Sequence, residues 1–373
     1  MSGPDFLQQR LAGLHESGTY RELPGSREGI DFWSNDYLGF SRCLTSAAAS
    51  YNTAPGSRLI SGDSEAITQL EQRIATFHGF DSALLFGSGY TANLGLLSCI
   101  ARRTDTIVYD ALIHASIRDG IRLSGAAARR CKHNDLKQAE RVLSSTPSSG
   151  NLFFVTEARF SMGGTPAPLN ELAALCRQYG AHLIVDEAHS IGIDGPNGAG
   201  LTAELGLQDS IFAAVMTYGK APGASGAAVL GSTALRDYLI NFSRPFIFTT
   251  APRPEQLAHI ESAYDLLSDR QPAVRQILER NISFFRQRIV EVGFGDRSPE
   301  LTGPVQIIRP AEGQDVIAAE RALLSAGLLV KGIRPPSVAR GEERVRICLH
   351  AFNTREEIDR LVSTLQRSLI FSS

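Results

Sequence analysis

From about residue 63 to 250 the chain alternates short runs that are apolar throughout with longer stretches that are apolar at every third or fourth position. Asp63 or Ser64 can cap a helix that lines up Ile67, Leu70, Ile74 and Phe77 on one face and ends near Gly79. Residues 83–86 then read as a buried strand, and 91–100 as a helix entered through a glycine-bearing turn. Further apolar strands are predicted at 106–109, 152–156, 182–185 and 212–216, with helical stretches such as 169–179 between them. Strands that lack a polar face and are separated by helices predict a mainly parallel sheet covered on both sides. That is an α/β core.

After about residue 255 the texture changes. A long helical stretch runs through Ala258, Ile260, Ala263, Leu266 and Leu267 and on to Ile277, Ile282 and Phe285. Strands at 304–308, 328–332 and 345–349 then alternate with helices at 315–326 and 356–367. The pattern predicts a smaller α+β C-terminal domain, with an N-terminal segment at 1–37, a large domain at 38–262 and the small one at 263–373. Phe6, Leu7, Leu11 and Leu14 give the start the spacing of a short amphipathic helix rather than of an export signal. No apolar run approaches the roughly 20 residues a membrane span requires, so no membrane partner is expected.

Composition narrows the classes. With 373 residues, 43% of them hydrophobic, the chain can build a large core and more than one domain. A net charge of −2, with basic residues spread along the chain, supplies no general attraction to nucleic acid. Cys43, Cys99, Cys131, Cys176 and Cys348 are far apart and form no Cys-x-x-Cys pair, so neither a metal site nor a disulfide framework is expected. A reducing cytoplasm fits that usage.

Two clusters sit just past apolar strands. Val185-Asp186-Glu187-Ala188-His189 delivers an acid and a histidine to the strand end, where open α/β sheets bind ligands. Thr217-Tyr218-Gly219-Lys220 delivers a lysine 34 positions after Asp186, room for one crossover, so both can reach the same rim. Pyridoxal 5′-phosphate chemistry needs such a pair: a lysine for the aldehyde and an acid that keeps the pyridine nitrogen protonated. The third cluster, Phe86-Gly87-Ser88-Gly89-Tyr90-Thr91, joins a strand to a helix whose first N–H groups can hold phosphate. His114, Ser161 and Arg346 complete the set; each alone reads more often as structural or solvated than as functional.

Taken in order, the chain resembles the α-oxoamine synthases, fold-type I pyridoxal-phosphate enzymes that condense an amino acid with an acyl thioester and release carbon dioxide. The resemblance rests on Ser34-Asn35-Asp36-Tyr37-Leu38-Gly39, the segments 56–62, 110–116 and 133–135, Leu70-Glu71, Thr156-Glu157, Phe160-Ser161-Met162, Asp186 to His189, Thr217 to Lys220, Ser225-Gly226-Ala227 and Ile333-Arg334-Pro335-Pro336-Ser337-Val338. These pieces span nearly the whole chain.

The resemblance implies that Lys220 carries the cofactor as a Schiff base and later moves protons. Asp186 would pair with the pyridine nitrogen, His189 would face the phenolic oxygen and His114 would stack on the ring. Ser88, Gly89, Tyr90 and Thr217 would lie near the phosphate, and Thr249 or Thr250 would reach the phosphate of a neighbouring subunit in a homodimer. Asn35 and Arg346 would hold substrate carboxylate, with Ser161 beside the reacting amine. The family members nearest this chain use L-alanine and a pimeloyl thioester, on coenzyme A or a carrier protein, in biotin synthesis. Others take glycine with acetyl-CoA or serine with a long acyl thioester, and some have lost their lysine and serve as non-catalytic subunits. Two positions depart from the pattern: Ile67, where many members have histidine, and Ala221, where many have glycine after the lysine.

Overall fold

A computed structural model describes residues 5–17, 19–21, 23, 25, 27–44, 56–146, 150–311, 314–335 and 337–370. Pro336, part of one motif quoted above, lies outside them. The chain divides into two units: residues 34–280 with 350–352, and residues 1–33 with 281–349 and 353–373. The expected boundaries at 37 and 262 thus differ from the structural ones. The N-terminal stretch belongs to the smaller unit because Ile30–Asp31 pairs in parallel with Leu328–Leu329. At the other end, the predicted long helical stretch is two helices, Pro254–Asp269 and Gln271–Glu291, broken at Arg270.

The larger unit is built on seven strands: β1 (Ser82–Phe86), β2 (Thr106–Asp110), β3 (Ala127–Cys131), β4 (Leu152–Glu157), β5 (Ala181–Asp186), β6 (Ala213–Thr217) and β7 (Ala227–Gly231). Their order is β1-β7-β6-β5-β4-β2-β3. β7 runs antiparallel to both neighbours, and every other pairing is parallel. The five apolar strands read from the sequence are β1, β2, β4, β5 and β6. The sequence pattern did not single out β3, an edge strand reading Ala-Ala-Arg-Arg-Cys with most positions exposed, because one-sided pairing leaves it no apolar signature. Nor did it single out β7, which is buried throughout.

Parallel strands send their C-terminal ends to one rim. Asp110, Glu157, Asp186 and Thr217 are the last residues of β2, β4, β5 and β6, and Gly87-Ser88 leaves β1 at the same edge. Helices cover the faces. Glu65–His78 starts at Ser64, whose Oγ accepts the Ile67 N–H, and stops at Gly79 with φ +75°. Its inner face buries Ile67, Leu70 and Ile74, so the first departure from the family pattern fills an apolar slot. Gly89–Ile100 buries Ala92, Leu96 and Leu97 in the cluster with Phe86, Ile107, Val155 and Val215.

The smaller unit holds an antiparallel sheet ordered Lys331–Ile333, Arg344–Cys348 and Val305–Ile308, with helices Val316–Ser325 and Arg355–Ile370. The strand expected at 328–332 is two short strands in different sheets.

Candidate active site

The rim of the large sheet opens into a cavity of about 340 Å³ lined by Asn35, Ser88, Gly89, Tyr90, His114, Ser161, Asp186, His189, Thr217 and Lys220. Residues from six separate stretches of the sequence meet there. Lys220 stands in the turn after β6, with Nζ donating to Thr217 Oγ1 at 3.4 Å. The turn is tied back by Tyr218 N–H to Gly226 O, Ala224 N–H to Tyr218 O and Gly223 N–H to Lys220 O. Ala221, the second departure, is fully buried, and a methyl group on Gly192 would lie 2.7 Å from its Cβ.

Asp186 ends β5 with its carboxylate held by two N–H donors: Asn93 Nδ2 to Oδ2 at 2.7 Å and Ala188 N–H to Oδ1 at 2.9 Å. Asn93 also donates to Ser116 Oγ at 3.1 Å. That oxygen lies 2.8 Å from His114 Nδ1, which accepts the Ser116 N–H at 3.3 Å. Because a backbone N–H can only donate, Nδ1 is the lone-pair side and the His114 proton sits on Nε2. Loss of water around the ring holds His114 below the ordinary imidazole range; Asp186 opposes the shift and Lys220 adds to it. The ring meets Tyr90 edge-on at 6.4 Å.

His189 is buried, and its Nδ1 lies 2.7 Å from the hydroxyl of Tyr37. That hydroxyl donates to Asn35 Oδ1 at 3.1 Å, so one fully buried phenol touches two residues of the cavity. Ser88 caps Gly89–Ile100 in a reciprocal pair with Thr91. The N–H groups of Gly89 and Tyr90, in the first turn, have no acceptor within the helix. A methyl group on Gly89 would stand 2.5 Å from Thr217 Cγ2, so a glycine is what lets this helix start approach β6.

Three residues at or behind the cavity, Glu157, Asn93 and Tyr37, carry no role in the sequence analysis. Glu157, at the end of β4 beside Asp186 in register, lines the cavity with Oε1 buried and without a hydrogen-bond partner. Burial first, and then the Asp186 charge, push its carboxyl well above the ordinary range; the His114 N–H and Lys220 pull the other way. The signal available was the one that marked Asp186, an acid closing an apolar strand. Asn93 was visible as a lone amide on the apolar face of Gly89–Ile100, and Tyr37 lay inside a quoted motif.

Two groups of expected residues are not among those that line this cavity. Thr249 and Thr250 are exposed and line a second cavity with Arg58, Phe246, Arg253 and Gln256. Arg346 lies in the smaller unit, buried on strand Arg344–Cys348, with Nη1 donating to Cys348 Sγ at 3.0 Å.

These features fit a flat, anionic aldehyde. A lysine amine, an acid held by N–H donors, the N–H groups of a twelve-residue helix start and a second acid with one unpartnered oxygen line one space.

Comparison with known proteins agrees. Residues 27–365 match the family described as aminotransferase class I and II. The chain is 39% identical to an 8-amino-7-oxononanoate synthase of Marinobacter nauticus, over 98% of this chain and 95% of that one. It is 39% identical to the synthase so named from Geobacter sulfurreducens, over 96% of each. Among solved structures, it resembles serine palmitoyltransferase of Sphingomonas wittichii with a TM-score of 0.87 and 26% identity, covering 98% of this chain and 96% of that one. For 8-amino-7-oxononanoate synthase of Francisella tularensis the TM-score is 0.74 and the identity 30%, covering 91% and 97%. Fold, rim chemistry and full-length similarity converge: the chain belongs to the class I and II aminotransferase family, in its α-oxoamine synthase branch.

Proposed function

We propose that this protein condenses L-alanine with a pimeloyl thioester, carried on coenzyme A or a carrier protein, to give 8-amino-7-oxononanoate, carbon dioxide and a free thiol, a step of biotin synthesis. The observation that carries the reading is the meeting of Lys220, Asp186, His114 and His189 on one cavity. The choice among amino-acid and acyl substrates is supported by similarity: 39% identity to the 8-amino-7-oxononanoate synthases of Marinobacter nauticus and Geobacter sulfurreducens and 30% to that of Francisella tularensis, against 26–27% to the serine palmitoyltransferases.

Bound here, pyridoxal 5′-phosphate supplies an aldehyde for the substrate amine and an electron sink for the carbanion at its Cα. The chain's own residues do the rest. Lys220 would hold the aldehyde, and its amine, once released, would take the proton from Cα of L-alanine. Asp186, steadied by Asn93, would keep a proton on the pyridine nitrogen. His114, neutral and carrying its proton on Nε2, would stack on the ring without adding charge. His189 would pair with the phenolic oxygen, and Ser88, Gly89, Tyr90 and Thr217 would receive the phosphate. Asn35 and Arg346 hold the carboxylate, with Ser161 beside the reacting amine.

The protein is read as a homodimer in which Thr249 and Thr250 reach the partner's phosphate. Their exposure outside the Lys220 cavity supports this, as do the neighbouring exposed Phe248 and, on the segment tied to Ala251 through Gly56, Ile60. A cytoplasmic location is supported by five free cysteines. No helix among the described residues is long and apolar enough to cross a membrane.

The test is to load the protein with the cofactor, record its visible spectrum and follow thiol release with L-alanine, glycine or L-serine against pimeloyl and other thioesters. Thiol release confined to L-alanine with a pimeloyl thioester is expected; preference for glycine or serine would move the reading to another branch member. Lys220→Ala should abolish both the visible absorbance and turnover. A non-catalytic subunit would show no turnover to lose.

A further inference from the structure

Glu157 is a buried acid in the lining of the cavity. It is 3% exposed, its Oε1 has no hydrogen-bond partner, and it lines the same space as Lys220. A buried polar atom without a partner is costly and uncommon, and one carried by a residue that lines a cavity points to a ligand that completes it.

We infer that the carboxylic acid of Glu157 is a further binding residue of this site, donating its proton in a hydrogen bond to an anionic oxygen of the bound ligand. The inference rests on the functional reading above and deepens it.

The charges around Glu157 decide which form it takes. Asp186 stands beside it in register on β5, and Asp110 closes β2 on the other side of β4. Lys220, after β6, is the cation that favours ionisation, and the His114 N–H is the donor that does so. Asp186 already accepts two N–H donors, so it is the acid equipped to carry the negative charge. Two neighbouring buried carboxyls do not both ionise cheaply, which leaves the proton on Glu157. A carboxylic acid in that state is a donor, and its natural acceptor is an anion. Two sources offer one: the phenolate of the cofactor and the carboxylate of the amino-acid substrate.

The experiment compares Glu157→Gln and Glu157→Ala with the unmodified protein in three measurements. The first is affinity for pyridoxal 5′-phosphate, titrated by absorbance. The second is affinity of the loaded protein for L-alanine, read from the spectral change without the thioester. The third is the infrared carbonyl band of a protonated carboxyl at neutral pH. The glutamine keeps a donor without charge, so both affinities should hold and the infrared band should vanish. The alanine removes the donor and should weaken one affinity about tenfold or more. Loss in the first titration assigns the acceptor to the cofactor's phenolate, and loss confined to the second assigns it to the substrate's carboxylate.

Glu157→Ala with both affinities intact would overturn the inference. So would Glu157→Gln as impaired as Glu157→Ala, or a loaded protein whose Glu157 shows only a carboxylate band. The infrared measurement on unmodified and glutamine proteins stands even where the alanine variant fails to fold. Unmodified protein that takes up no cofactor would overturn the functional reading itself, which is a different result.

Discussion

At Gly89 the site depends on an absence. The helix Gly89–Ile100 begins so close to β6 that an added methyl group would lie 2.5 Å from Cγ2 and 3.3 Å from Cβ of Thr217. Thr217 is buried, branched at Cβ and bonded to Lys220, so it cannot give way without disturbing the amine. Gly89→Ala should weaken binding of pyridoxal 5′-phosphate by on the order of 1–3 kcal/mol, as overpacking does. It should weaken the binding of pyridoxal, which lacks the phosphate, much less; absorbance titration with the two compounds checks this. Most residues of the cavity were legible beforehand because they close apolar strands or follow them, as Asp186 and Lys220 do. Asn93 was not, since its task is set by where Asp186 ends up in space, 93 positions away in the chain. Glu157 was half legible. Its place at a strand end was visible, whereas the empty oxygen that gives it meaning exists only once β4 and β5 lie side by side.

At the scale of elements, the helix Glu65–His78 is joined to the lysine turn by a buried chain of polar groups. His78 Nδ1 donates to Ala199 O at 2.8 Å, its Nε2 lies 2.8 Å from the hydroxyl of Tyr264, and that hydroxyl lies 3.4 Å from the hydroxyl of Tyr218. All three rings are buried, and Tyr218 is two residues before Lys220. Burial lowers the His78 pKa to about 4. A folded-state value below the unfolded one means that the neutral ring contributes stability above about pH 6.5, and that this is lost as pH falls toward 4. The loss should be on the order of 2–3 kcal/mol between pH 7 and pH 4. Chemical unfolding at several pH values should show a steeper acid decline for the unmodified protein than for His78→Gln, which has no proton to gain. Nothing in the sequence distinguished His78 from a helix-ending histidine beside Gly79. The apolar spacing that located the helix says which face is buried, but not that a far helix will bring a phenol to meet its last residue.

For the molecule as a whole, the alternation of apolar runs with amphipathic stretches was enough to read an α/β core with a mainly parallel sheet. The order of the strands was not readable, because pairing partners far apart in the chain leave no local mark. The domain boundaries were displaced for a related reason: Ile30–Asp31 joins the smaller unit by pairing with a strand nearly 300 residues away, and two residues of strand make no visible pattern. The same kind of distant pairing governs β1. It is an edge strand whose sheet partner is β7, the last strand of the sheet to be made. During synthesis, residues 82–86 therefore wait for 227–231 before they have a neighbour, and the phosphate-facing turn that follows β1 waits with them. Ribosome-bound chains that expose residues only to about 220 should leave the 80–100 region open to protease, and chains exposing all of β7 should protect it. A nascent chain in this design cannot hold its cofactor before the lysine that will bind it has emerged, so assembly of the site is ordered in time by the path of a single antiparallel strand.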